Sequence, residues 1–256
     1  MGRGLSWEFV SASVAGTSHV ESDTPCQDRC IAKSSCQGGR SWLAMFVADG
    51  AGSAVCAEEG AELALEAALC FWDSLMHESE FGLSDQLAVE FIKTIRSKIY
   101  STAATVGKTA RDYACTFLAL LSSDQGTLIF QIGDGGIVLD VGAGLELAIA
   151  PMSGDYANMT HFVTDENALD YLESKSYEGR VERAAVFSDG VQGLALNLTD
   201  STPHAPFFAP FFSVLSSVAP DQRQQLEPAL VRFLESDQVN ERTDDDKSMA
   251  IAVWRY

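Results

Sequence analysis

The sequence of 256 residues predicts an α+β fold. Three observations support this: short apolar or alternating runs typical of strands, two long helix candidates that follow one another, and a return to strands afterwards. This order disfavours the alternating βαβ units of parallel nucleotide-binding folds. No repeat and no Pro- or Gly/Ser-rich linker divides the chain, so we expect residues 1–256 to form one domain.

The strand candidates are segments rich in Val, Ile, Phe and Leu. They cover residues 6–14, 28–34, 42–48, 114–122, 126–132, 136–141, 145–150, 181–188 and 248–255. Residues 54–76, rich in Ala, Leu and Glu, predict a first long helix, and residues 84–105 predict a second that begins after the N-cap Ser84. A third helix is predicted over residues 228–235, after an irregular stretch over 191–227.

The chain is strongly acidic. Asp and Glu total 36 against 17 Lys and Arg, which gives a formal net charge of -19. Such a surface repels nucleic acid and anionic membranes over most of its area, so we expect neither as a partner. The first residues hold no apolar core of signal-peptide length, and no apolar run approaches the ~20 residues that span a bilayer. We therefore expect a cytoplasmic protein.

The most informative pattern is the position of aspartates at strand ends. Asp49, Asp134 and Asp189 each end an apolar strand and are each followed by glycine. A further acidic group, residues 244–246, immediately precedes the apolar run over residues 249–254. Burying lone carboxylates is costly, so several of them meeting at one mouth of a sheet demand a cation. Oxygen-only ligation selects Mg²⁺ or Mn²⁺.

An Asp-Gly pair between apolar runs is also the commonest hairpin-turn signal. Each pair taken alone is therefore better explained as a turn, and Asp134-Gly135 in particular would join two neighbouring strands. The recurrence of the pattern favours the metal interpretation. Gly50 adds to it, because without a Cβ its backbone carbonyl can turn toward an ion while Asp49 supplies a carboxylate beside it.

Several motifs follow one another along the chain. They are GTSH (residues 16–19), CQD (26–28), VADGAGS (47–53), GD (133–134), GDYANMT (154–160), FSDG (187–190) and DDKS (245–248). In order and spacing they resemble the metal-dependent protein phosphatases of the 2C type, especially the compact bacterial members. The resemblance covers nearly the whole chain. It implies a four-layer α-β-β-α sandwich, in which helix pairs flank a central antiparallel β-sandwich with a two-metal centre at one edge.

The resemblance also implies which residues hold the metals. Asp49 would bridge two Mn²⁺ or Mg²⁺ ions, Gly50 would offer its carbonyl to one of them, and Asp189 and Asp245 would complete the other. Asp134 would belong to a third, more weakly held site. The metal set is therefore expected to be Asp49, Gly50, Asp189, Asp245 and Asp134.

The activity implied is hydrolysis of phosphoserine and phosphothreonine monoesters in proteins, by in-line attack of a water that bridges the two metals. Asp28 would hydrogen-bond a metal-bound water. The residues expected to be catalytic are Asp28, Asp49, Asp189 and Asp245. The partners implied are phosphorylated protein substrates, with a cognate serine/threonine kinase as a further candidate. Neither the substrate nor the kinase is identified by the sequence.

Two departures from the family pattern bear on catalysis. Ala51 stands where many members carry a His proposed as the general acid, so the proton for the leaving group must come from elsewhere. His19 aligns with an Arg that holds phosphate in many members. It is therefore the candidate substrate contact, and a polar strand-end histidine without a role fits its position equally well. The alternative to an enzyme is a catalytically weak or inactive relative that binds phosphoproteins.

Three further segments leave questions open. Gly135-Gly136 replaces the usual Ser-Arg after Gly-Asp, which weakens the third-site assignment of Asp134. Asp245-Asp246 replaces the usual Asp-Asn, so either aspartate is a candidate ligand. Residues 151–166 resemble the variable flap over the active-site edge, and the Phe-rich residues 206–212 are expected to pack in the core rather than to form a docking patch.

Overall fold

The computed structural model describes residues 6–78, 80–149, 160–197 and 199–256. Its strands are β1 (Ser6–Val14), β2 (Asp28–Gln37), β3 (Arg40–Asp49), β4 (Phe117–Ser123), β5 (Gly126–Ile132), β6 (Gly136–Asp140), β7 (Glu146–Leu147), β8 (Glu173–Tyr177), β9 (Arg183–Phe187), β10 (Leu196–Asn197), β11 (Thr202–Pro203) and β12 (Lys247–Arg255). Its α-helices are α1 (Thr17–Glu21), α2 (Ala57–Leu75), α3 (Asp85–Thr105), α4 (Asp189–Ala195), α5 (Ala205–Ser217), α6 (Leu226–Leu234) and α7 (Asp237–Asn240).

Two five-stranded antiparallel sheets form the centre of the molecule. The first has the order β1-β12-β9-β6-β7 and the second the order β2-β3-β4-β5-β8. The first and last strands, β1 and β12, both belong to the first sheet and pair along the whole length of β1. Strands β10 and β11 form a separate two-stranded ribbon. The predicted antiparallel sandwich is confirmed.

The side chains of β3 show how the layers are held together. Leu43, Met45 and Val47 join the apolar cluster between the two sheets, whereas Trp42 and Phe46, with the opposite parity, join a second cluster with α2 and α3. This period of two is what a strand buried on both faces requires. Strand β12 behaves in the same way and shares a third cluster with α5 and α6. The four-layer α-β-β-α arrangement is therefore confirmed.

The helix pair predicted on one side is present. Helix α2 carries Glu58 and Glu59 in its first turn, where carboxylates favour the positive end of the helix dipole. Helix α3 follows Ser84 as predicted and buries Phe91 and Ile95 against α2 and the second sheet. The third predicted helix corresponds to α6, which begins two residues earlier, at Leu226.

The prediction of an irregular stretch over 191–227 is wrong, because it contains most of α4 and all of α5. Helix α5 tolerates its first proline, Pro206, because the first-turn N–H groups lack intrahelical partners. It continues through Pro210 because Phe208 and Phe212 are fully packed in the core. The packing expected for the Phe-rich residues is thus confirmed for these two, and Phe207 and Phe211 are half-buried.

Two strand predictions also need correction. Strand β8 was not predicted, because its sequence ESKSY is polar and it lies at the edge of its sheet. The strand predicted over residues 145–150 is reduced to β7, the two residues Glu146 and Leu147, and residue 150 lies outside the described residues.

No helix in the described ranges is both long enough and apolar enough to cross a membrane.

Candidate active site

A cavity of about 250 Å³ lies at one end of the sandwich, where strand ends from both sheets meet. It includes six of the seven residues predicted for the site: His19, Asp49, Gly50, Asp134, Asp189 and Asp245. Asp49 ends β3 of the second sheet, while Asp189 follows β9 and Asp245 precedes β12 of the first sheet. The fold therefore brings together carboxylates that are far apart in the sequence.

Asp28, the seventh predicted residue, is buried directly behind Asp49. The two residues are partners in the β2–β3 register, and their carboxyl groups hydrogen-bond one another. The Ser188 hydroxyl donates to Oδ2 of Asp28 at 2.6 Å. Burial raises the pKa of Asp28 to about 7 against the opposing effect of these hydrogen bonds. Burial, followed by the negative charges of Asp28 and Asp189, holds the pKa of Asp49 well above its usual range.

Asp189 is the first residue of α4 and carries an unsatisfied oxygen. Its Oδ1 atom is buried and accepts no hydrogen bond from the described residues. Burial, together with the negative charges of Asp134 and Asp245, raises the pKa of Asp189 to about 6. A buried carboxylate oxygen without a partner costs free energy, so this atom indicates a missing positive ligand.

The structure distinguishes the two candidate aspartates before β12. Asp246 is buried, and its carboxylate accepts the N–H groups of Gly16 at 2.7 Å and Gln27 at 2.5 Å and a hydrogen bond from Nδ1 of His19 at 2.9 Å. Asp245 is exposed as a residue and accepts only the N–H group of Asp246, at 2.8 Å, among the described contacts. Its carboxyl lines the cavity, where partial burial raises its pKa. Asp245 is therefore the carboxylate that remains available.

Two glycines allow the backbone of this acidic segment to come close. A Cβ atom on Gly190 would lie 2.0 Å from the carbonyl oxygen of Asp246, and one on Gly16 would lie 2.2 Å from that of Asp244. Any side chain at either position would push the segment away. The glycine in the Asp189-Gly190 motif thus has a packing reason beyond a turn.

His19 lies on the short helix α1, not at a strand end. Its side chain is 20% exposed, faces the cavity, and is held by the hydrogen bond to Asp246. One ring nitrogen is therefore used by the protein. The other remains for a ligand in the cavity.

Asp134 follows β5 and is fixed from two directions. Its Oδ2 atom accepts a hydrogen bond from the Thr160 hydroxyl at 2.5 Å, and its carbonyl accepts one from the side chain of Gln192 on α4. The departure at Gly135-Gly136 has a steric reason. A Cβ on Gly135 would lie 2.6 Å from the Phe187 carbonyl oxygen, and one on Gly136 would lie 2.4 Å from the Phe187 ring.

The segment that resembles a flap is described only in part. Residues 151–159, including most of the GDYANMT motif, lie outside the described residues. Thr160 and Phe162 line the cavity.

Three further cavity residues, Thr116, Gln27 and Ala51, bear on the chemistry of the site. Oγ1 of Thr116 accepts the N–H group of Asp49 at 3.1 Å, and the Thr116 N–H group donates to the Asp49 carbonyl at 2.8 Å. The antiparallel register of β3 and β4, which places Thr116 opposite Asp49, is the feature that could have indicated Thr116. Gln27 has a buried Oε1 atom with no partner among the described residues. Ala51 offers no side-chain proton donor, and its N–H group is taken by the Ala114 carbonyl at 2.9 Å.

The donor set fits a hard divalent cation. Apart from the free ring nitrogen of His19, the acceptor groups available in the cavity are oxygen atoms, and they include the buried oxygens of Asp189 and Gln27 that have no partner among the described residues. Within the described parts of the chain, no three His, Cys, Asp or Glu side chains already form a group that could hold an ion. Mg²⁺ is typically held by one or two carboxylates and keeps several waters, and the carboxylates that line the cavity suit that kind of binding.

Comparison with known proteins identifies the family. The family model described as Protein phosphatase 2C matches residues 15–235. The chain belongs to the protein phosphatase 2C family. It is 48% identical, over 251 residues, to serine/threonine-protein phosphatase 3 of Escherichia coli, an alignment that covers 98% of this chain and 99% of the relative. The recognition made from the motifs is confirmed, and as a protein phosphatase 2C the chain is an enzyme.

Solved structures of protein phosphatases 2C share the fold. PppA of Pseudomonas aeruginosa superposes with a TM-score of 0.62 at 15% identity, covering 97% of this chain and 98% of that one. Stp1 of Staphylococcus aureus, a serine/threonine phosphatase, gives a TM-score of 0.60 at 13% identity, with 99% and 96% covered. Both are similar to this chain in architecture across their full length.

Proposed function

We propose that this protein phosphatase 2C is a Mn²⁺- or Mg²⁺-dependent serine/threonine protein phosphatase. The observation that carries the proposal is a buried oxygen of Asp189 that has no hydrogen-bond partner among the described residues. It belongs to a cavity that is also lined by the other predicted aspartates Asp49, Asp134 and Asp245. Two bound ions would supply neutralisation of the phosphoryl oxygens and activation of the attacking water for in-line displacement. The Escherichia coli relative carries the corresponding name and supports this substrate class.

The proposed metal ligands are the oxygen-bearing groups of the cavity that the protein's own hydrogen bonds leave available. Asp49 and Gly50 line the cavity, and the carbonyl of Gly50 is proposed as a ligand beside the Asp49 carboxylate. Asp189 supplies its unpartnered oxygen, and Asp245 is the aspartate before β12 that makes the fewer hydrogen bonds to the described residues. Asp134 is proposed for a third, weaker site. Its Oδ2 atom is already occupied by Thr160, which fits weaker binding.

Other residues are proposed to bind and position. Asp28 orients the water beside Asp49, and Ser188 fixes Asp28 in turn, since its hydroxyl donates to Asp28 and accepts the N–H group of Ser248 at 3.0 Å. His19, held by Asp246, binds the phosphate through its second ring nitrogen. The substrates are phosphorylated proteins, and the enzyme that places those phosphates, a serine/threonine kinase, is the natural counterpart.

The alternative, an inactive phosphoprotein-binding relative, rests on Ala51 and on the absence of the family's Arg at His19. Retention of every proposed carboxylate ligand and the high identity to a named phosphatase argue against it. A leaving group that needs little protonation, such as a phenolate, would tolerate Ala51 best.

The deciding experiment is hydrolysis of para-nitrophenyl phosphate with Mn²⁺. We expect turnover that chelator abolishes, and loss of about 100-fold or more in the Asp49→Asn and Asp189→Asn variants. Asp244→Asn is the matched control, because Asp244 is exposed beside the same segment. The proposal would be abandoned if turnover of this compound and of phosphopeptides were absent, or persisted unchanged in chelator.

A further inference from the structure

A second, larger cavity adjoins the proposed catalytic one. This groove has a volume of about 590 Å³ and shares Ser53, Thr160 and Phe162 with the catalytic cavity. A substrate segment that leaves the catalytic cavity past these residues therefore enters the groove. Its mixed polar and apolar lining, with Tyr100 and Ala110 beside charged side chains, suits a peptide better than a small apolar ligand.

Both walls of the groove are held in place. On one side, Arg96 of α3 donates to the carbonyls of Val163 and Asp165, and the Tyr100 hydroxyl donates to the carbonyl of Thr164 at 2.9 Å. The Val163 N–H group also donates to the Cys115 carbonyl at 2.9 Å. Residues 160–166 are thus hydrogen-bonded both to α3 and to the segment that leads into β4. A preformed groove loses little entropy on binding a peptide.

The opposite wall is a 3₁₀ turn, Ala110–Tyr113, that carries Arg111. A reciprocal pair of hydrogen bonds between Thr109 and Asp112 caps this turn. Ala114, which follows it, lines the groove and accepts the N–H group of Ala51. Arg111 is therefore displayed on an ordered support that is hydrogen-bonded to the loop after Gly50.

Arg111 lines the groove as an exposed cation without an ion pair to any described residue. Most other charged groups of the groove are engaged: Asp165 accepts the Phe162 N–H group at 3.0 Å, and its carboxylate lies 3.6 Å from Nδ1 of His161. His161 itself stacks on Tyr171. Glu166, on the opposite wall, is the remaining exposed charge.

We propose that this groove binds the substrate segment next to the phosphorylated residue and that Arg111 binds an acidic side chain in that segment. The guanidinium group offers a planar fork that matches a carboxylate in two hydrogen bonds. In a chain of net charge -19, a local cation is what allows an acidic segment to approach. This inference rests on the proposed function and names a substrate preference for the same site.

The test uses matched phosphothreonine peptides that carry Glu, Gln or Lys at positions beside the phosphothreonine. For the wild type we expect kcat/KM to be about fivefold higher with Glu than with Gln at one of these positions, the size of an exposed ion pair. Arg111→Gln should abolish that ratio, and Arg111→Glu should invert it in favour of Lys. Glu166→Gln, which removes the other free charge of the groove, should keep the Glu-over-Gln ratio.

Hydrolysis of para-nitrophenyl phosphate tests the catalytic cavity separately from the groove, because Arg111 lines the groove and not the catalytic cavity. The Arg111 variants should hydrolyse it at the wild-type rate and unfold at the wild-type temperature. An unchanged Glu-over-Gln ratio in both Arg111 variants, with this hydrolysis intact, would refute the role of Arg111 alone. Absence of para-nitrophenyl phosphate and peptide turnover in the wild type would instead refute the proposed function and this inference with it.

Discussion

Asp28 and Asp49 face each other as partners in the β2–β3 register, and their carboxyl groups share a hydrogen bond. Burial raises the pKa of both carboxyls, so the pair favours a protonated form when no cation is near. Protons and divalent ions are therefore alternative ways to stabilise the same cavity. This competition gives the first prediction.

The metal-free protein should lose stability as the pH rises. The pKa values of Asp28 and Asp189 are raised to about 7 and about 6, above those of an unfolded chain, so the native state holds these protons more tightly. Their stabilising contribution is complete below the unfolded pKa and is lost as the pH rises through about 6 to 7. In chelator, we expect a lower Tm near pH 8 than near pH 5, with Mn²⁺ restoring it near pH 8.

Asp28→Asn is the control for this pH dependence, because it removes one of the site carboxyls whose pKa is raised. The variant should show a smaller fall in Tm between the two pH values. A fall as large as that of the wild type would show that Asp28 does not contribute to the pH dependence.

The two neighbouring aspartates before β12 should differ when each is replaced by Asn. Asp246→Asn places an NH₂ group among the donors of Gly16, Gln27 and His19 and should cost about 1–3 kcal/mol of unfolding free energy. Asp245→Asn should not lower stability in chelator, because it removes a negative charge from beside Asp189, and it should raise the Mn²⁺ concentration needed for half-maximal activity. Chemical denaturation and metal titration measure the two effects, and the opposite pattern would reverse the proposed ligand assignment.

Gly136→Ala should destabilise the fold, because the new methyl group would lie 2.4 Å from the ring of the fully buried Phe187. Overpacking of this kind costs about 1–3 kcal/mol. Gly193→Ala on α4 is the matched control, since a Cβ there meets no atom within 4 Å and Ala favours the helix. Thermal unfolding of the two variants decides the matter, and equal Tm values would mean that Phe187 moves aside freely.

Ser188→Ala should lower kcat while the protein stays folded. It removes the donor to Asp28 and the acceptor of the Ser248 N–H group, which are both buried bonds. We expect a loss of about 1–3 kcal/mol of stability and a shift in the pH profile of kcat as Asp28 loses a hydrogen bond. Ser188→Thr, which retains the hydroxyl, should recover both, and an unaltered pH profile in Ser188→Ala would remove Ser188 from the positioning role.

Much of the fold followed from apolar patterning, and the exceptions have physical reasons. Strands such as β3 are apolar on both faces and stand out in the sequence. Strand β8 is an edge strand with polar side chains, and its place in the sheet is set by pairing with β5. Helix α5 was hidden by its prolines, because helix signals in the sequence do not include the core contacts of Phe208 and Phe212.

The site was predictable as a set of aspartates but not in its internal contacts. Their position at strand ends indicated Asp49, Asp134 and Asp189. The difference between Asp245 and Asp246 depends on which carboxylate the N–H groups of Gly16 and Gln27 reach, and only the folded chain shows this. Arg111 lies in no motif that we singled out, because only the folded chain brings its 3₁₀ turn and residues 160–166 to the same groove.

The acidic cavity takes Asp49 from one sheet and Asp189 and Asp245 from the margins of the other. The distances between these carboxylates therefore depend on how the two sheets are aligned. Leu43, Met45 and Val47 pack between the sheets and help to fix that alignment. A small slide of one half over the other would keep every strand paired and still pull the carboxylates apart. A change in the alignment of the sheets should therefore lower enzyme turnover before it changes the measured secondary-structure content.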